Sequence, residues 1–293
     1  MRIASLLPSA TEIVCALGLE ADLVAITHEC DHPPSVSRKP VVTSSVLPAA
    51  GSSGEIDHHI RKLVHEGSSI YALDQDRLMA LQPDLILTQE LCAVCAVSYP
   101  IVEKASHRLQ APTQLVSLEP ESLDDVFDNI RLVGQLTGRA QVAEAVVTAL
   151  TARIDRVRRR VAGRPRRRLV ALEWIEPPYR SGHWTPGLVR LAGGEDLLGR
   201  PGQRASAIDW RQIDEAGPEV LVVMACGFTL ERSLYEVERI APRLAGRECF
   251  VVDGNAFFSR PGPRLVDSVE ILAGILHPEV VEPPPGTAAR RVA

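Results

Sequence analysis

The feature that most constrains this chain is a pattern it states twice. Residues 78–88 read "LMALQPDLILT" and residues 212–224 read "QIDEAGPEVLVVM". Each is a short helical stretch, then proline with an acidic residue, then an unbroken apolar run. Strands with no polar alternation, separated by helices, are buried on both faces, and such strands build parallel sheets. A looser echo accompanies it. "RIASLLPSATEIVCALGLEADLVAI" near the start and "RRLVALEWIEPPYRSGHWTPGLVRLAGGEDLLG" past the middle both run strand, loop, helix, glycine turn. The chain is therefore expected to be α/β, with two similar halves.

Between the halves, apolar residues recur at helical spacing: Val126, Ile130 and Val133, then Val142, Val146, Leu150, Ile154 and Val157. This predicts a helix, a break at Gly138, and a long helix reaching Val161, whose 20 or so residues would span about 30 Å. The expected divisions are an N-terminal α/β lobe over 1–120, a connecting helical segment over 121–164, a C-terminal α/β lobe over 165–280 and a disordered tail over 281–293. The tail expectation rests on its "PPPGTAARRVA" composition.

Ligands of open α/β sheets bind beyond the carboxyl ends of the strands, so the residues that follow each strand matter most. The first half offers Pro8 and Ser9, then His28, Glu29 and Cys30, then Gln89, Cys92 and Cys95. The second offers Glu173 and Trp174, His183 and Trp184, Cys226 and Phe228, and finally Asn255, Phe257, Phe258 and Arg260. Four of the six cysteines and two of the three tryptophans fall in these loops, a concentration that core packing does not readily explain. It does explain Cys15 on an apolar helix face and Cys249 beside a strand. Net charge −5 and a pI near 5.9 give no signature for nucleic acid. The basic run "RVRRRVAGRPRRR" reads as a solvated helix end and linker. No window approaches the 20 or so apolar residues of a membrane span, and no Walker A, Gly-x-Ser-x-Gly or His-Glu-x-x-His motif occurs.

"SLLPSATEI", "THECDHPP", "PDLILTQ", "SGHW", "GFTLER" and "DGNAFFSRPGPRLVDSVEIL" together resemble the cobalamin-type substrate-binding proteins of ABC transporters, within the wider group that binds haem and iron–siderophore chelates. The resemblance runs from residue 1 to about 279. It implies two Rossmann-like lobes with parallel sheets, one long backbone helix joining them, and a ligand cleft between the lobes. It further implies no enzymatic activity, no intrinsic cofactor, and a cobalt corrinoid ligand held by Trp174, Trp184, Phe228, Phe257 and Phe258, with Glu173 and Arg260 meeting its amide side chains. An acidic residue on each lobe would face the permease: Asp57 (or Glu55) in the first, and Asp209 beside Arg211 in the second. The first lobe's His, Cys and Gln residues mark a more polar, sulfur-rich branch of the group.

Other readings stay open from the residues alone. His28, Cys30, Cys92, Cys95 and His183 could hold a soft cation such as zinc or iron, the ligand could be haem or another metal chelate, or a corrinoid-processing activity could reside there. Cys92 and Cys95, three residues apart, are expected to line the pocket. The start "MRIASLLPSATEIV" lacks a leader pattern, so a cytoplasmic carrier is expected, or a periplasmic or cell-surface protein if a leader has been removed.

Overall fold

The structure, a computed structural model, describes residues 1–47, 51–65, 68–90, 99–109 and 112–293. It divides into two compact units. Unit 1 comprises Met1–Gly51, Glu55–Glu119 and Phe127–Val147; unit 2 comprises Ser52–Gly54, Pro120–Val126 and Thr148–Ala293.

Unit 1 opens with β1 (Ile3–Ser5), α1 (Pro8–Ala16), β2 (Leu23–Ala25), β3 (Thr43–Ser45) and α2 (Ser53–His65, its first turn counted with unit 2). There follow β4 (Tyr71–Leu73), α3 (Gln75–Leu81), β5 (Leu85–Thr88), α4 (Tyr99–Ser106) and β6 (Gln114–Ser117). Four strands pair in the order β2-β1-β5-β6, all parallel; β3 and β4 form a separate antiparallel pair. The core side of this unit gathers Ala4, Leu6, Ala25, Val42, Leu78, Ile86, Val102 and Ala105, all buried. Every residue of β5 is buried, as its unbroken apolar run requires.

Helices α5 (Leu123–Leu136) and α6 (Ala140–Val161) follow, and the division between units falls inside each of them. Gly138, at φ +69°, makes the break between them. The 22 residues of α6 give about 33 Å. Its buried stripe is Ala143, Val147, Leu150, Ile154, Val157 and Val161, whereas Val142 is exposed. The expected stripe is thus displaced by one residue in the first two turns. The cause is Gly134 of α5, where an added Cβ would lie 2.5 Å from the Ala143 Cβ; the two helices meet through their smallest residues there.

Unit 2 continues with β7 (Arg167–Trp174), β8 (Tyr179–Arg180), α7 (Thr185–Leu191), β9 (Gly194–Asp196), β10 (Ser206–Ala207), α8 (Trp210–Ala216) and β11 (Val220–Val223). It closes with α9 (Leu230–Val237), α10 (Ala241–Leu244), β12 (Glu248–Val252), α11 (Leu265–Leu276) and β13 (Ala289–Arg291). Strands β9, β7, β11 and β12 are parallel to their neighbours among themselves. Antiparallel β8, β10 and β13 flank them, so this sheet is mixed where a parallel one was expected. A turn over residues 175–178 folds β8 straight back onto β7, which only an antiparallel pairing permits.

The tail also departs from expectation. It is not disordered: β13 pairs with β12, Ala288 and Ala289 are buried, and the Cys249 N–H donates to the Ala293 carbonyl at 3.0 Å. Proline and glycine spacing suggested disorder, but the exposed backbone edge of β12 offers hydrogen bonds that composition does not reveal.

Candidate functional site

Parallel strands bring their carboxyl ends to one edge of a sheet, and the expected site residues sort accordingly. In unit 1, Pro8 and Ser9 start α1 just past β1, residues 28–30 follow β2, and Gln89 follows β5. Cys92 and Cys95 lie outside the described residues. Cys30 is buried, its Sγ 3.1 Å from both Thr11 Oγ1 and Thr27 Oγ1. Thr11 in turn donates to Ser5 Oγ at 2.8 Å, and Ser5 donates to the Leu7 carbonyl. Neighbouring His28 stays accessible; its Nδ1 is 2.7 Å from Thr43 Oγ1, which also accepts the His28 N–H at 3.1 Å. The Tyr71 ring meets the imidazole edge-on at 5.4 Å, and Glu29 lies 3.4 Å from Nε2. Ser9 and Gln89 are buried.

In unit 2 the corresponding edge collects residues after β7, β11 and β12. The Trp174 and Phe228 rings pack at 4.9 Å, and the Trp174 Nε1–H donates to the Ser53 carbonyl at 3.2 Å. Phe228 also receives the Arg232 guanidinium 5.2 Å from its centroid. Asn255 donates its N–H to the Phe228 carbonyl at 2.9 Å. A π-helical turn over Gly254–Phe258 carries Phe257 and Phe258. Only glycine suits position 254, since a Cβ there would stand 2.1 Å from the Ala225 carbonyl oxygen. Phe257 is half-buried, whereas Phe258 and Arg260 are buried, and Arg260 Nη2 donates to Asn255 Oδ1 at 3.1 Å. Cys226 is exposed and carries a thiol that is not part of a disulfide.

Two carboxylates, each on a half-buried residue, brace the loop between β8 and α7. Glu173 Oε1 accepts the Gly182 N–H at 3.0 Å, and Thr185 also hydrogen-bonds to it. Desolvation pushes the Glu173 pKa up to about 7 despite those hydrogen bonds, with Asp196 adding to the rise. Asp196 accepts Ser181 Oγ–H at 2.5 Å and the Gly199 N–H at 3.1 Å, and burial raises its pKa as well. Between these braces sit His183 and Trp184, half-buried and stacked at 5.4 Å. The Trp184 Nε1–H reaches the Phe258 carbonyl at 2.9 Å. Sequence reasoning missed Asp196, Ser181, Thr185 and Thr43, because each acts through a partner distant in the chain. The acid in "GGEDLLG", just after a glycine turn, was the one visible signal.

The architecture has known counterparts. A model described as periplasmic binding protein matches residues 3–241. The chain belongs to that family. Among curated relatives, the vitamin B12-binding protein of Vibrio cholerae serotype O1 is 24% identical over 281 residues, covering 92% of this chain and 86% of that one. The vitamin B12-binding protein of Pectobacterium carotovorum subsp. carotovorum is 23% identical over 269 residues, covering 90% and 84%. Among solved structures, a periplasmic heme binding protein from Pseudomonas aeruginosa has a TM-score of 0.74 at 19% identity, covering 100% of this chain and 98% of that one. The periplasmic vitamin B12 binding protein BtuF of Vibrio cholerae has a TM-score of 0.66 at 21% identity, covering 94% and 96%. These likenesses establish a shared fold, and the resemblance drawn from the motifs holds at the level of the wider group.

In this family member the remaining cysteines are packing residues. Burial pushes the thiols of Cys15 and Cys249 up to about 12, far from a reactive range. Asp57 is paired with Arg61 at 2.8 Å within α2. Asp209 is the N-cap of α8, where it accepts the Gln212 N–H at 3.1 Å while the Gln212 side chain accepts its own N–H. No helix among the described residues is long and apolar enough to cross a membrane.

Proposed function

We propose that this protein binds a corrinoid or another metallated tetrapyrrole through its strand-end loops and delivers it to an ABC permease. The observation that carries this reading is the aromatic edge of unit 2, above all the Trp174–Phe228 pair, with half-buried Trp184 and Phe257 on the loops that follow β8 and β12 and Trp184 bonded to the Phe258 carbonyl. Rings held by fixed backbone partners lose little entropy on binding and suit a broad, largely apolar face. Relatives named for vitamin B12 favour a corrinoid; neighbours named for haem keep haem as the second reading. In this reading residues 1–120 and 165–280 are the ligand-binding lobes and 121–164 the connector. Asp209, exposed at the start of α8, suits permease contact better than Asp57, whose side chain is only 13% exposed beneath Arg61.

A visible-absorption titration with cyanocobalamin and, separately, with haemin tests the proposal. Saturable binding of cyanocobalamin is expected, weakened by about 1–3 kcal/mol in Trp174→Ala. Unchanged affinity in that variant would remove the aromatic account. A Soret band without corrinoid binding would select haem. Among the described residues no group of three His, Cys, Asp or Glu is placed to hold a metal ion; one equivalent of zinc or iron without any tetrapyrrole would instead support the soft-metal reading through Cys92 and Cys95.

A further inference from the structure

We propose that His183 is a hydrogen-bond donor to the bound ligand, offering Nε2–H to an oxygen on the ligand's rim, and is not a ligand to its metal. This rests on the tetrapyrrole reading above and narrows it to ligands that carry carbonyl or carboxylate oxygens on their periphery.

The backbone supplies the first observation. His183 has φ +44°, and the only other non-glycine residue with positive φ among the described residues is Gln82. Gln82 has a local reason, since it caps the C-terminus of α3 in the left-handed conformation. His183 lies in a loop and has no such reason. It is held from both sides instead: its N–H donates to the Gln203 carbonyl at 2.7 Å, and its carbonyl accepts the Gly202 N–H at 3.1 Å. Gly182 before it is packed so closely that a Cβ would stand 2.2 Å from the Gln203 oxygen. Strain that the surroundings over-determine in this way marks positions where a side chain must be aimed.

The ring supplies the second. Stacked on Trp184, it has its Nδ1 buried with no hydrogen-bond partner. A proton on Nδ1 would be an orphaned buried donor, which folded proteins rarely tolerate; a lone pair there is the lesser cost. The charged groups that bear on the ring are Glu121, which favours the imidazolium, and Arg204, which opposes it; desolvation is the largest influence and keeps the ring neutral. A neutral ring with a bare Nδ1 carries its proton on Nε2.

Coordination of a metal through Nε2 would need the lone pair there and would drive the proton onto the unpartnered Nδ1. Histidines that bind metals normally donate the opposite N–H to an acceptor. His28 has such an arrangement available, with Nδ1 2.7 Å from Thr43 Oγ1; His183 lacks it. The two imidazoles are therefore not interchangeable.

The test uses the full-length protein. Long-range proton–nitrogen correlation spectra of ¹⁵N-labelled protein at pH 7 should show the His183 ring as the neutral Nε2–H tautomer, its signals identified by their loss in His183→Gln. An Nδ1–H tautomer, or an imidazolium, would overturn the proposal. Cyanocobalamin titration supplies a second reading. His183→Phe, which keeps the stacking but not the donor, should weaken binding about tenfold, while His183→Gln, which keeps an N–H donor at similar reach, should stay within about threefold of wild type. The visible bands of the bound corrinoid should be the same in all three. Equal affinity for His183→Phe and wild type, or bands that shift in both variants, would overturn the donor role. If wild type binds neither cyanocobalamin nor haemin, the tetrapyrrole reading fails and the donor role falls with it, whereas an Nδ1–H tautomer in a protein that does bind overturns the donor role alone.

Discussion

The two strand-end loops solve the same problem with opposite chemistry. In unit 1, residues 27–30 are tied down by neutral groups: the Cys30 thiol between two threonine hydroxyls, Thr11 to Ser5, and His28 on Thr43. In unit 2, residues 181–185 hang from the carboxylates of Glu173 and Asp196. Hydroxyls both donate and accept, so a buried chain of them satisfies itself without desolvating charge. Carboxylates accept strongly but resist burial. The second loop should therefore be the more sharply fixed and the more sensitive to pH.

The largest expected difference comes from backbone packing. Gly182→Ala puts a Cβ 2.2 Å from the Gln203 oxygen and 2.6 Å from the Ala205 nitrogen, and should cost about 3 kcal/mol of stability by overpacking. A reference glycine of unit 1, Gly18 just past the end of α1, meets open space, so Gly18→Ala bears only the φ +73° penalty, about 1–2 kcal/mol. Denaturant unfolding of both variants measures the gap. Equal losses would mean that the second loop can relax and that its rigidity has been overstated.

Next comes the pH dependence of the braces. The folded pKa of Glu173 is raised from 4.5 to about 7, so the native state binds more protons than the unfolded chain between those values. The resulting stability is fully present below pH 4.5 and is lost as pH rises through about 7. The shift corresponds to roughly 3 kcal/mol. Asp196, raised for the same reason, contributes with the same sign. Melting curves of wild type and Glu173→Gln from pH 4 to pH 8 should diverge, the variant losing the Glu173 part of the slope. Thr27→Val in unit 1 should shift the whole curve without changing its slope. Parallel curves for wild type and Glu173→Gln would show that Glu173 does not titrate in this window.

How much of this could be read from the chain depends on the range of the interaction. The repeated Pro-acid-strand pattern reported β5 and β11 because a strand buried on both faces must be apolar throughout, and the glycine at 138 reported a helix end through its own conformation. What escaped were features made by distant partners. Nothing near "SGHW" tells that Asp196 accepts from Ser181 or that Glu173, expected to meet the ligand, also accepts the Gly182 N–H in the loop that presents His183 and Trp184. Likewise Phe258 and Arg260 match a motif whose residue types do not tell that both are buried, Arg260 with its Nη2 on Asn255 Oδ1. The edge strand β13 was hidden by a proline-rich approach, because pairing with β12 depends on backbone and not on side-chain pattern.

The smallest effects compare single hydrogen bonds of the two kinds. Ser181→Ala removes the hydroxyl from the Asp196 carboxylate and leaves it with its backbone donors only. A hydrogen bond to a charged group is worth about 2 kcal/mol, and the loss should grow as pH rises and Asp196 ionises. Thr43→Val removes the neutral hydroxyl that meets both Nδ1 and the backbone N–H of His28 and should cost about 1 kcal/mol, because both groups of this accessible residue can turn to water. Its clearer signature is orientation. Freed from Thr43 Oγ1, the His28 ring should lose its fixed edge-on contact with Tyr71, seen as averaged ring-proton shifts in the valine variant. Should Thr43→Val cost as much as Ser181→Ala, the neutral network would be holding its loop as tightly as the charged one, and the contrast between the two loops would rest on pH response alone.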